Sequence, residues 1–506
     1  MKKTQKLLAG ITILYIMAFS LSAASLTNAA TATLPFQSGQ LATPNVLTVD
    51  GGSEIAPIAG EEIGPSSFTS NGGFTSYWNS LVAANPSWGT AANLDLTSVS
   101  LSGLSDGIAI PELNEGAADV GEMSRFPSSS EWSAPSMANM QICAVGVDGL
   151  AIVVSSTMTW FPKNLTTLQV AQLFADNNPS GTQTDQGLAG ATGSTPLYST
   201  WGDFLAAYYA PNPIPAIING VPTAYVVNDP IERAVMDPAS GAFACFNNYF
   251  AVPNGYQFEN LAVTPTSNGQ ETIVGTQEMA PYTYCQENIN EYLAASETNY
   301  IGFISLGYLN TYGNMISLNI AYNIADSPSS ITSYDSTTVW GPYVAPTNAN
   351  VIYAYPGFQD ADATGQYMAW TYLWEVTPAQ IPSTGPLLAT GVWIAYMREY
   401  GTTQGGSSDF AKDQGYIDLN PADMAGGQVL DSTLQPYQPL AGQTQTVPDG
   451  QVNFSDVIYF VSAYINYYAY GIYNPYADIN ADGRINFSDV LLFVSAYEAA
   501  YTSYNP

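Results

Sequence analysis

The sequence contains no histidine, only nine lysine and arginine residues, and three cysteines among 506 residues. The absence of histidine excludes a Ser-His-Asp or Cys-His hydrolase and a histidine-ligated zinc site. The cysteines, Cys143, Cys245 and Cys285, do not have a metal-ligand spacing, and in a secreted chain a Cys245–Cys285 disulfide is the pairing we predict. Carboxylate pairs such as Glu61-Glu62 could suggest a glycosidase, but nothing around them supports one. We therefore predict that the protein is not an enzyme.

Charged residues are scarce, and almost all of them are acidic. Nine basic residues against 41 acidic residues give a net charge of -32, while charged residues make up only 10% of the chain, where soluble proteins average about 25%. Such a surface excludes nucleic acid and acidic membrane surfaces as partners. Because uncharged polar side chains stay hydrated when carboxylates protonate, below roughly pH 4, we expect an exterior compartment that is acidic, hot, or both.

A long apolar run occurs only at the N-terminus. Lys2, Lys3 and Lys6 precede an apolar stretch at 7–24, which small residues follow. This pattern is typical of a secretory signal peptide, here 1–30, and an uncleaved N-terminal anchor is the alternative. No later stretch reaches the ~18 apolar residues that a membrane span needs. We predict a secreted protein, extracellular or at the cell surface.

The chain is too long for one hydrophobic core and divides into a body and a tail. In the body, at 40–430, short apolar runs such as Val145–Ser155 alternate with helical patterns such as Thr166–Phe174. This alternation predicts an α/β fold. A segment rich in Pro, Gln, Gly and Thr at 431–447 is predicted to be a linker to the tail at 448–503.

The tail contains a duplication with a period of 33 residues. Asp449-Gly-Gln-Val-Asn-Phe-Ser-Asp-Val recurs as Asp482-Gly-Arg-Ile-Asn-Phe-Ser-Asp-Val, and an amphipathic helical pattern follows each copy. The second copy ends a 12-residue loop with oxygen-bearing side chains at positions 1, 3, 5, 9 and 12 and a glycine at 6, which is the EF-hand pattern. The predicted calcium ligands are Asp478, Asn480, Asp482, Arg484 through its carbonyl, Asn486 and Asp489.

The first copy is weaker, because Gln445 and Val447 occupy loop positions 1 and 3. We predict one good calcium site and one weak or empty site, and for both copies a helix-capping turn without metal is the alternative. Together the copies resemble the dockerin module, a duplicated calcium loop-helix unit that plugs into a cohesin partner. The resemblance implies a small all-α, EF-hand-like domain, Ca²⁺ as its cofactor and a cohesin-like surface protein as its partner. We expect calcium chelation to unfold the tail and leave the melting of the body unchanged.

Several segments of the body end a strand with glycine, serine or an acidic residue. In order they are Asp50-Gly-Gly-Ser-Glu-Ile-Ala-Pro, Ala118-Asp-Val-Gly-Glu-Met-Ser-Arg, Asp148-Gly-Leu-Ala-Ile-Val-Val, Asn164-Leu-Thr-Thr-Leu-Gln, Trp201-Gly-Asp, Ala239-Ser-Gly-Ala-Phe and Ile301-Gly-Phe. This order is similar to that of the phosphate-binding proteins that feed phosphate ABC transporters. The resemblance covers about 44–425 and implies a two-lobe, periplasmic-binding-protein-like type II fold, with the second lobe at about 143–290.

The same resemblance implies a site for an inorganic oxyanion, most simply phosphate, that is delivered to an ABC permease. Hydroxyls, backbone N–H groups at helix N-termini and one guanidinium can surround such an anion without much net positive charge. For the serines and Arg125, a helix cap and a surface ion pair are the alternatives, and a solvent-facing side chain is the alternative for Glu54. The positions that match the family's binding positions are Ser53, Glu54, Ser124, Arg125, Ser240 and Gly241.

Three positions depart from the family pattern. Glu54 stands where the family has a hydroxyl, Ala242 replaces a threonine, and Arg233 lies farther before Ser240 than the family arginine does. Two donors are lost and a carboxylate is gained, and a carboxylate accepts a hydrogen bond only from a protonated ligand. We predict a solute-binding protein, with a structural or extracellular-matrix protein that has lost its ligand as the alternative.

Overall fold

The computed structural model describes most of the body and nearly all of the tail. The signal segment 1–30, Ser53, Glu54, Cys285 and the linker at 431–447 lie outside the described residues. The described residues are 40–52, 69–70, 73–103, 106–127, 131, 140–175, 196–209, 217–218, 221–222, 230–236, 240–254, 256, 263–265, 271–273, 282–283, 300–311, 315–322, 342–354, 367–398, 419, 422, 424 and 452–504.

The strands of the described residues are β1 (Val46–Gly51), β2 (Thr69–Ser70), β3 (Ser98–Gly103), β4 (Val120–Met123), β5 (Met140–Ser155), β6 (Asn164–Thr166), β7 (Ile217–Ile218), β8 (Val221–Pro222), β9 (Glu232–Met236), β10 (Val263–Pro265), β11 (Glu271–Ile273), β12 (Tyr282–Thr283), β13 (Tyr300–Ser305), β14 (Met315–Ser317), β15 (Asn319–Ala321), β16 (Trp370–Pro378), β17 (Ile381–Pro382) and β18 (Ile472–Tyr473).

The α-helices are α1 (Gly73–Ala84), α2 (Ala91–Leu94), α3 (Asp106–Glu115), α4 (Thr167–Phe174), α5 (Trp201–Tyr209), α6 (Gly241–Phe246), α7 (Leu306–Thr311), α8 (Asn348–Ala354), α9 (Leu388–Arg398), α10 (Phe454–Tyr470) and α11 (Phe487–Tyr504). Short 3₁₀ turns occur at Pro86–Trp88 and Val252–Asn254, and a π-helical turn at Asn247–Ala251 extends α6.

Ten strands form one mixed sheet with the order β12-β9-β13-β5-β16-β4-β1-β3-β2, and β14 pairs with the end of β5. On one side, β3, β1 and β4 are parallel neighbours. On the other side, β13, β9 and β12 are also parallel to one another. The antiparallel strands β16 and β5 join these two halves through the middle of the sheet. The observed architecture is therefore a mixed α/β fold, as the sequence predicts.

Two predicted elements of the body are confirmed. The run at 145–155 belongs to β5, which begins five residues earlier at Met140 and is buried along its whole length, as a strand covered on both faces must be. The predicted helix at 166–174 is α4, and Thr166 forms a capping box with Gln169 through hydrogen bonds of 3.2 and 2.8 Å.

The tail shares its hydrophobic core with the body. Its two helices pack on each other through Phe460 and Phe493, which occupy equivalent positions in the two repeats and have ring centroids 4.6 Å apart. Both rings belong to a buried cluster that also contains Leu47 of β1, Trp78 of α1 and Trp393 of α9. Among the described residues, no helix is both long enough and apolar enough to cross a membrane.

Candidate oxyanion site

Three chain segments meet beside the carboxyl ends of β1 and β4. The parallel strands β1 and β4 end side by side, and the Gly52 N–H donates to the Glu122 carbonyl at 2.8 Å. The N-terminus of α6 lies against the residue after β4, so closely that a Cβ added to Gly241 would overlap the backbone and Oγ of Ser124. A Cβ added to Gly52 would lie 3.4 Å from the Ser124 nitrogen. The predicted segments at 50–52, 124 and 241 are thus neighbours in space, and glycine permits two of the approaches.

The donors of these segments bind a carboxylate, that of Asp106. The Ser124 N–H donates to Asp106 Oδ1 at 2.6 Å, and the Ser124 hydroxyl lies 3.0 Å from Oδ2. The Gly241 N–H also donates to Oδ2. Asp106, Ser124 and Gly241 are all buried. The site therefore holds a carboxyl group that belongs to the chain itself, bound by backbone N–H groups and a hydroxyl.

Asp106 is the residue that the sequence interpretation missed. It is the first residue of α3, just after β3, and β3 runs parallel to β1. Because the carboxyl ends of parallel strands lie at the same side of a sheet, the start of α3 lies beside the ends of β1 and β4. The signal in the sequence is Ser105-Asp106-Gly107, a run of serine, aspartate and glycine like those of the other segments.

The predicted guanidinium of the site, Arg125, is engaged elsewhere. It forms a two-bond ion pair with Glu131, at 2.8 and 2.9 Å, and donates weakly to the Phe126 carbonyl. Both partners of the ion pair are partly exposed. This arrangement is the surface ion pair that was the alternative for Arg125.

Arg233 has a structural role inside the body. Its side chain is buried, and it donates to the carbonyls of Ile231 (2.8 Å), Tyr198 (2.9 Å) and Leu173. Burial lowers the pKa of Arg233 to about 9. These bonds tie β9 to the end of α4.

Ser240 caps the helix that carries Gly241. Its hydroxyl accepts the Phe243 N–H at 3.1 Å, and its side chain is buried. The capping role was the alternative for this serine, and it fixes the position of the Gly241 N–H toward Asp106. Ser124 lies in a bend, and no described helix begins at this residue.

The surroundings of the site are acidic. Glu122, two residues before Ser124, is fully buried. Burial and then the charges of Glu375, Asp50 and Asp106 raise the pKa of Glu122 well above its ordinary value. Burial also raises the pKa of Glu375 to about 8. Near neutral pH this region therefore carries protons as well as carboxylates.

A small cavity lies behind α6. Its volume is about 10 Å³, room for about one water molecule. Thr371, on its wall, donates to the Ser124 carbonyl at 2.8 Å. Asp148 also faces it, and burial raises the pKa of that carboxyl to about 7. The cavity is lined by Asp148, Gly149, Leu150, Ala242, Cys245, Ser305 and Thr371.

The second loop of the tail brings its predicted calcium ligands together. Asp478 accepts the N–H groups of Asp482 and Gly483, at 3.1 and 2.7 Å. Asp489 accepts the N–H of Asn486 at 2.8 Å, and the amide groups of Asn480 and Asn486 lie 3.3 and 3.1 Å from Asp482 Oδ2. The backbone of Arg484, whose carbonyl is the sixth predicted ligand, donates to Asp482 Oδ1 at 3.0 Å.

The chemistry of this loop fits Ca²⁺. Burial, followed by the charges of Asp489 and Asp482, raises the pKa of Asp478 well above its ordinary value. The predicted ligands offer oxygen atoms to the metal, which is the ligand type that calcium prefers. In the part of the chain described here, no three acidic or cysteine side chains are grouped as a metal cluster by themselves. A calcium site here would therefore depend on the amide and carbonyl oxygens as well.

The last position of the first loop is used differently. Asp456 accepts the N–H of Asn453 at 2.6 Å and, through its other oxygen, the N–H of Met424 at 3.0 Å. It thus caps α10 and bonds to the body segment that precedes the linker. The weak or empty first calcium site stays a prediction.

Neither the known sequence families nor the curated proteins include a match to this chain. Solved structures are similar at low identity. A structure from Clostridium perfringens, described as a phosphate ABC transporter substrate-binding protein with bound phosphate, is 15% identical with a TM-score of 0.41, covering 74% of this chain and 99% of the other. An ABC-type phosphate transport receptor from Vibrio cholerae is 14% identical with a TM-score of 0.37, covering 74% and 100%. A phosphate-binding protein from Stenotrophomonas maltophilia is 11% identical with a TM-score of 0.40, covering 74% and 90%.

Proposed function

We propose that the body is a solute-binding domain for a small oxyanion, most simply phosphate, and that the groups around Ser124 and Gly241 are its donors. The observation that carries this proposal is the hydrogen bonding of Asp106 by donors from two segments that are far apart in the sequence. These donors already bind both oxygens of a buried carboxyl group. A tetrahedral oxyanion presents oxygens with the same requirements.

In this proposal the ligand and the Asp106 carboxylate compete for the same donors. Two anions in one buried site repel strongly, so a fully ionised ligand and an ionised Asp106 do not share it. Asp106 is the first residue of α3, so rotation of its side chain, without unfolding of the helix, would release the donors. The affinity of the protein for the anion is then lower than the intrinsic affinity of the donors, because the Asp106 carboxylate competes for them.

The proposal is tested by titration calorimetry of the mature protein with phosphate, sulfate and tungstate between pH 3 and pH 7. We expect a saturable heat with at least one of these anions at a stoichiometry of one. No heat with any of them over this pH range would reject solute binding. In the cell, the protein would deliver the bound anion to an ABC permease and would have no enzymatic activity.

One observation favours a second candidate. Asp106 is fully buried and accepts three bonds, so it could be a permanent link between α3, β4 and α6. The body would then be a structural or extracellular-matrix component built on this fold. In that case the anions cause no shift in the melting temperature of the wild-type protein at any concentration tested.

We further propose that the tail binds calcium and attaches the secreted protein to a cohesin-like surface partner. Support comes from apolar side chains that are more than half exposed and repeat with the period of the duplication. Phe454 and Ile458 begin α10, and Phe487 and Leu491 occupy the equivalent positions of α11. Two equivalent apolar pairs on one small domain are suited to protein contact. In a pull-down assay, the wild-type protein should bind a component of cell-surface extracts. Loss of this binding after replacement of Phe454 and Phe487 by serine would support attachment.

A further inference from the structure

The second calcium loop contacts the body at α1 and at the residues of the 3₁₀ turn that follows this helix. The Tyr77 hydroxyl donates to the Ala481 carbonyl, and the Arg484 guanidinium donates to Asn85 Oδ1. The same guanidinium lies 6.0 Å from the ring centroid of Trp88. Gly483 packs so tightly on this indole that an added Cβ would overlap it. The loop therefore has a fitted contact surface on the body of its own chain.

The residues that touch the body alternate with the predicted metal ligands. Ala481 and Gly483 flank Asp482, and both adopt positive φ values, 54° and 76°. The Gly483 N–H donates to Asp478, which also accepts the Tyr473 hydroxyl at 2.6 Å. A cation that orders the oxygens of Asp478 and Asp482 must therefore also order the backbone that presents Ala481 and Gly483 to the body.

A second contact lies between the two repeats and anchors the tail beside the loop. β18 pairs with β17 of the body, and the Ser383 N–H donates to the Gly471 carbonyl at 2.8 Å. The Tyr476 hydroxyl bonds to the N–H and carbonyl of Ala144 in β5, at 2.6 and 3.3 Å. Tyr473 and Tyr476 are both fully buried or nearly so. The tail is thus also held to the body at places outside the calcium loop.

The charge of the loop explains why a cation would control the first contact. Asp478, Asp482 and Asp489 lie in one loop, in which Asp478 accepts the Asp482 N–H and Asp489 accepts the Ile479 N–H. The side chain of Arg484, the cation of this loop, is directed to Asn85 and Trp88 of the body. Mutual repulsion of ionised carboxylates disfavours this conformation of the loop, and a divalent cation removes that repulsion. A bound cation therefore favours the loop conformation that contacts Tyr77, Asn85 and Trp88.

We propose that calcium bound in the second loop locks the tail onto the α1–Trp88 edge of the body, so that calcium controls the stability of the body as well as that of the tail. This inference rests on the calcium site proposed above. It replaces the expectation that chelation would leave the melting of the body unchanged. It also assigns the body as the partner of this face of the loop, which leaves the exposed apolar residues of α10 and α11 for another protein.

The test uses the mature full-length chain, with calcium binding and thermal unfolding measured separately. Calcium binding is followed by titration calorimetry with CaCl₂, and unfolding by calorimetry in excess CaCl₂ or EGTA. Hydrogen exchange reports on residues 73–94 in both conditions. We expect excess calcium to raise the main transition of the body by about 3 °C at a hundredfold excess over the dissociation constant. We also expect slower exchange in residues 73–94.

Two variants separate docking from metal binding. Arg484→Ala removes the side chain that contacts Asn85 and Trp88 but leaves its carbonyl in the loop, so we expect calcium binding to persist while its effect on residues 73–94 falls by at least half. Gln451→Ala is the matched control, because Gln451 occupies the equivalent sequence position in the first repeat, and it should behave as wild type. Absence of calcium binding would overturn the metal site itself. Calcium binding without any change in the body, or an unchanged calcium effect in Arg484→Ala, would overturn the docking.

Discussion

Glu122 and Glu375 face each other across the antiparallel strands β4 and β16, and both side chains are fully buried. The pair lies where the two halves of the sheet join, next to the turn that carries Ser124. Removal from water and the proximity of the second carboxyl favour the protonated form, so the pair holds a proton at pH values at which surface carboxyls have lost theirs.

The first prediction is that the protein is more stable in acid than at neutral pH. Burial raises the pKa of Asp119 to about 6, of Asp148 to about 7 and of Glu375 to about 8, from about 4 in an unfolded chain. The folded state then binds more protons than the unfolded state between pH 4 and pH 8. Stability is therefore greatest below about pH 4 and falls as the pH rises through this window. Urea unfolding at pH 4, 6 and 8 measures how the unfolding free energy changes with pH.

The contribution of the buried pair can be isolated with Glu375→Gln. This variant removes one titrating group and should lose less stability than wild type between pH 6 and pH 8, by about 1 kcal/mol or more. Glu115→Gln is the matched control at an exposed carboxyl, and its pH dependence should follow that of wild type. Stability that rises from pH 5 to pH 8 would contradict the assignment.

The second prediction concerns the close approach of α6 to the turn after β4. Gly241→Ala places a methyl group on the backbone and hydroxyl of Ser124. We expect a loss of roughly 1–3 kcal/mol in unfolding free energy. We also expect the loss of anion binding, because the added methyl group moves the Gly241 N–H away from the donors of Ser124. Gly385→Ala serves as a comparison, since a Cβ there meets nothing within 4 Å. Although Gly385 has a φ of 92° and the alanine is strained, anion binding should survive.

The third prediction is that Arg125 contributes little to ligand affinity. Its guanidinium is paired with Glu131 through two bonds in a partly exposed place. We expect Arg125→Gln to change the phosphate dissociation constant less than about threefold and the stability by less than about 1 kcal/mol. A much larger loss of affinity would mean that Arg125 leaves Glu131 for the ligand.

The fourth prediction tests the local sequence signals. Thr166→Ala removes the cap of α4 and one half of the capping box with Gln169. The expected loss is about 1 kcal/mol of unfolding free energy. Thr157→Ala is a fair control, because Thr157 lies in a turn rather than at a helix N-terminus, with its hydroxyl 2.9 Å from that of Ser155. Equal stability of the two variants would contradict the role of the cap.

The elements that were predicted well from the sequence are stabilised by contacts between residues that are close in the chain. The cap and apolar spacing of α4 act within a few residues, and the buried run of β5 needs no knowledge of its neighbours. The loop-helix repeat of the tail is likewise local, since Asp478 bonds to Gly483 inside one loop. Their formation depends on residues that are adjacent in the chain.

The features that were missed depend on contacts between distant residues. Asp106 became part of the site because β3 and β4 both flank β1, a register that no single segment encodes. The docking of the tail joins Tyr77 to Ala481 across 404 positions. The composition of the linker suggested independence of the two parts, but composition carries no information on whether two surfaces fit. The roles of Ser53 and Glu54 stay predictions.

The most direct test of the oxyanion site compares phosphate binding by the wild-type protein and by Asp106→Ser. Removal of the internal carboxylate leaves the N–H groups of Ser124 and Gly241 and the Ser124 hydroxyl without their present acceptor, so the variant should be less stable in phosphate-free buffer. We predict that phosphate restores this stability and that the variant binds phosphate at least about tenfold more tightly than wild type. If phosphate neither binds to nor stabilises either protein, these donors do not form an oxyanion site, and the bonds to Asp106 only hold the fold together.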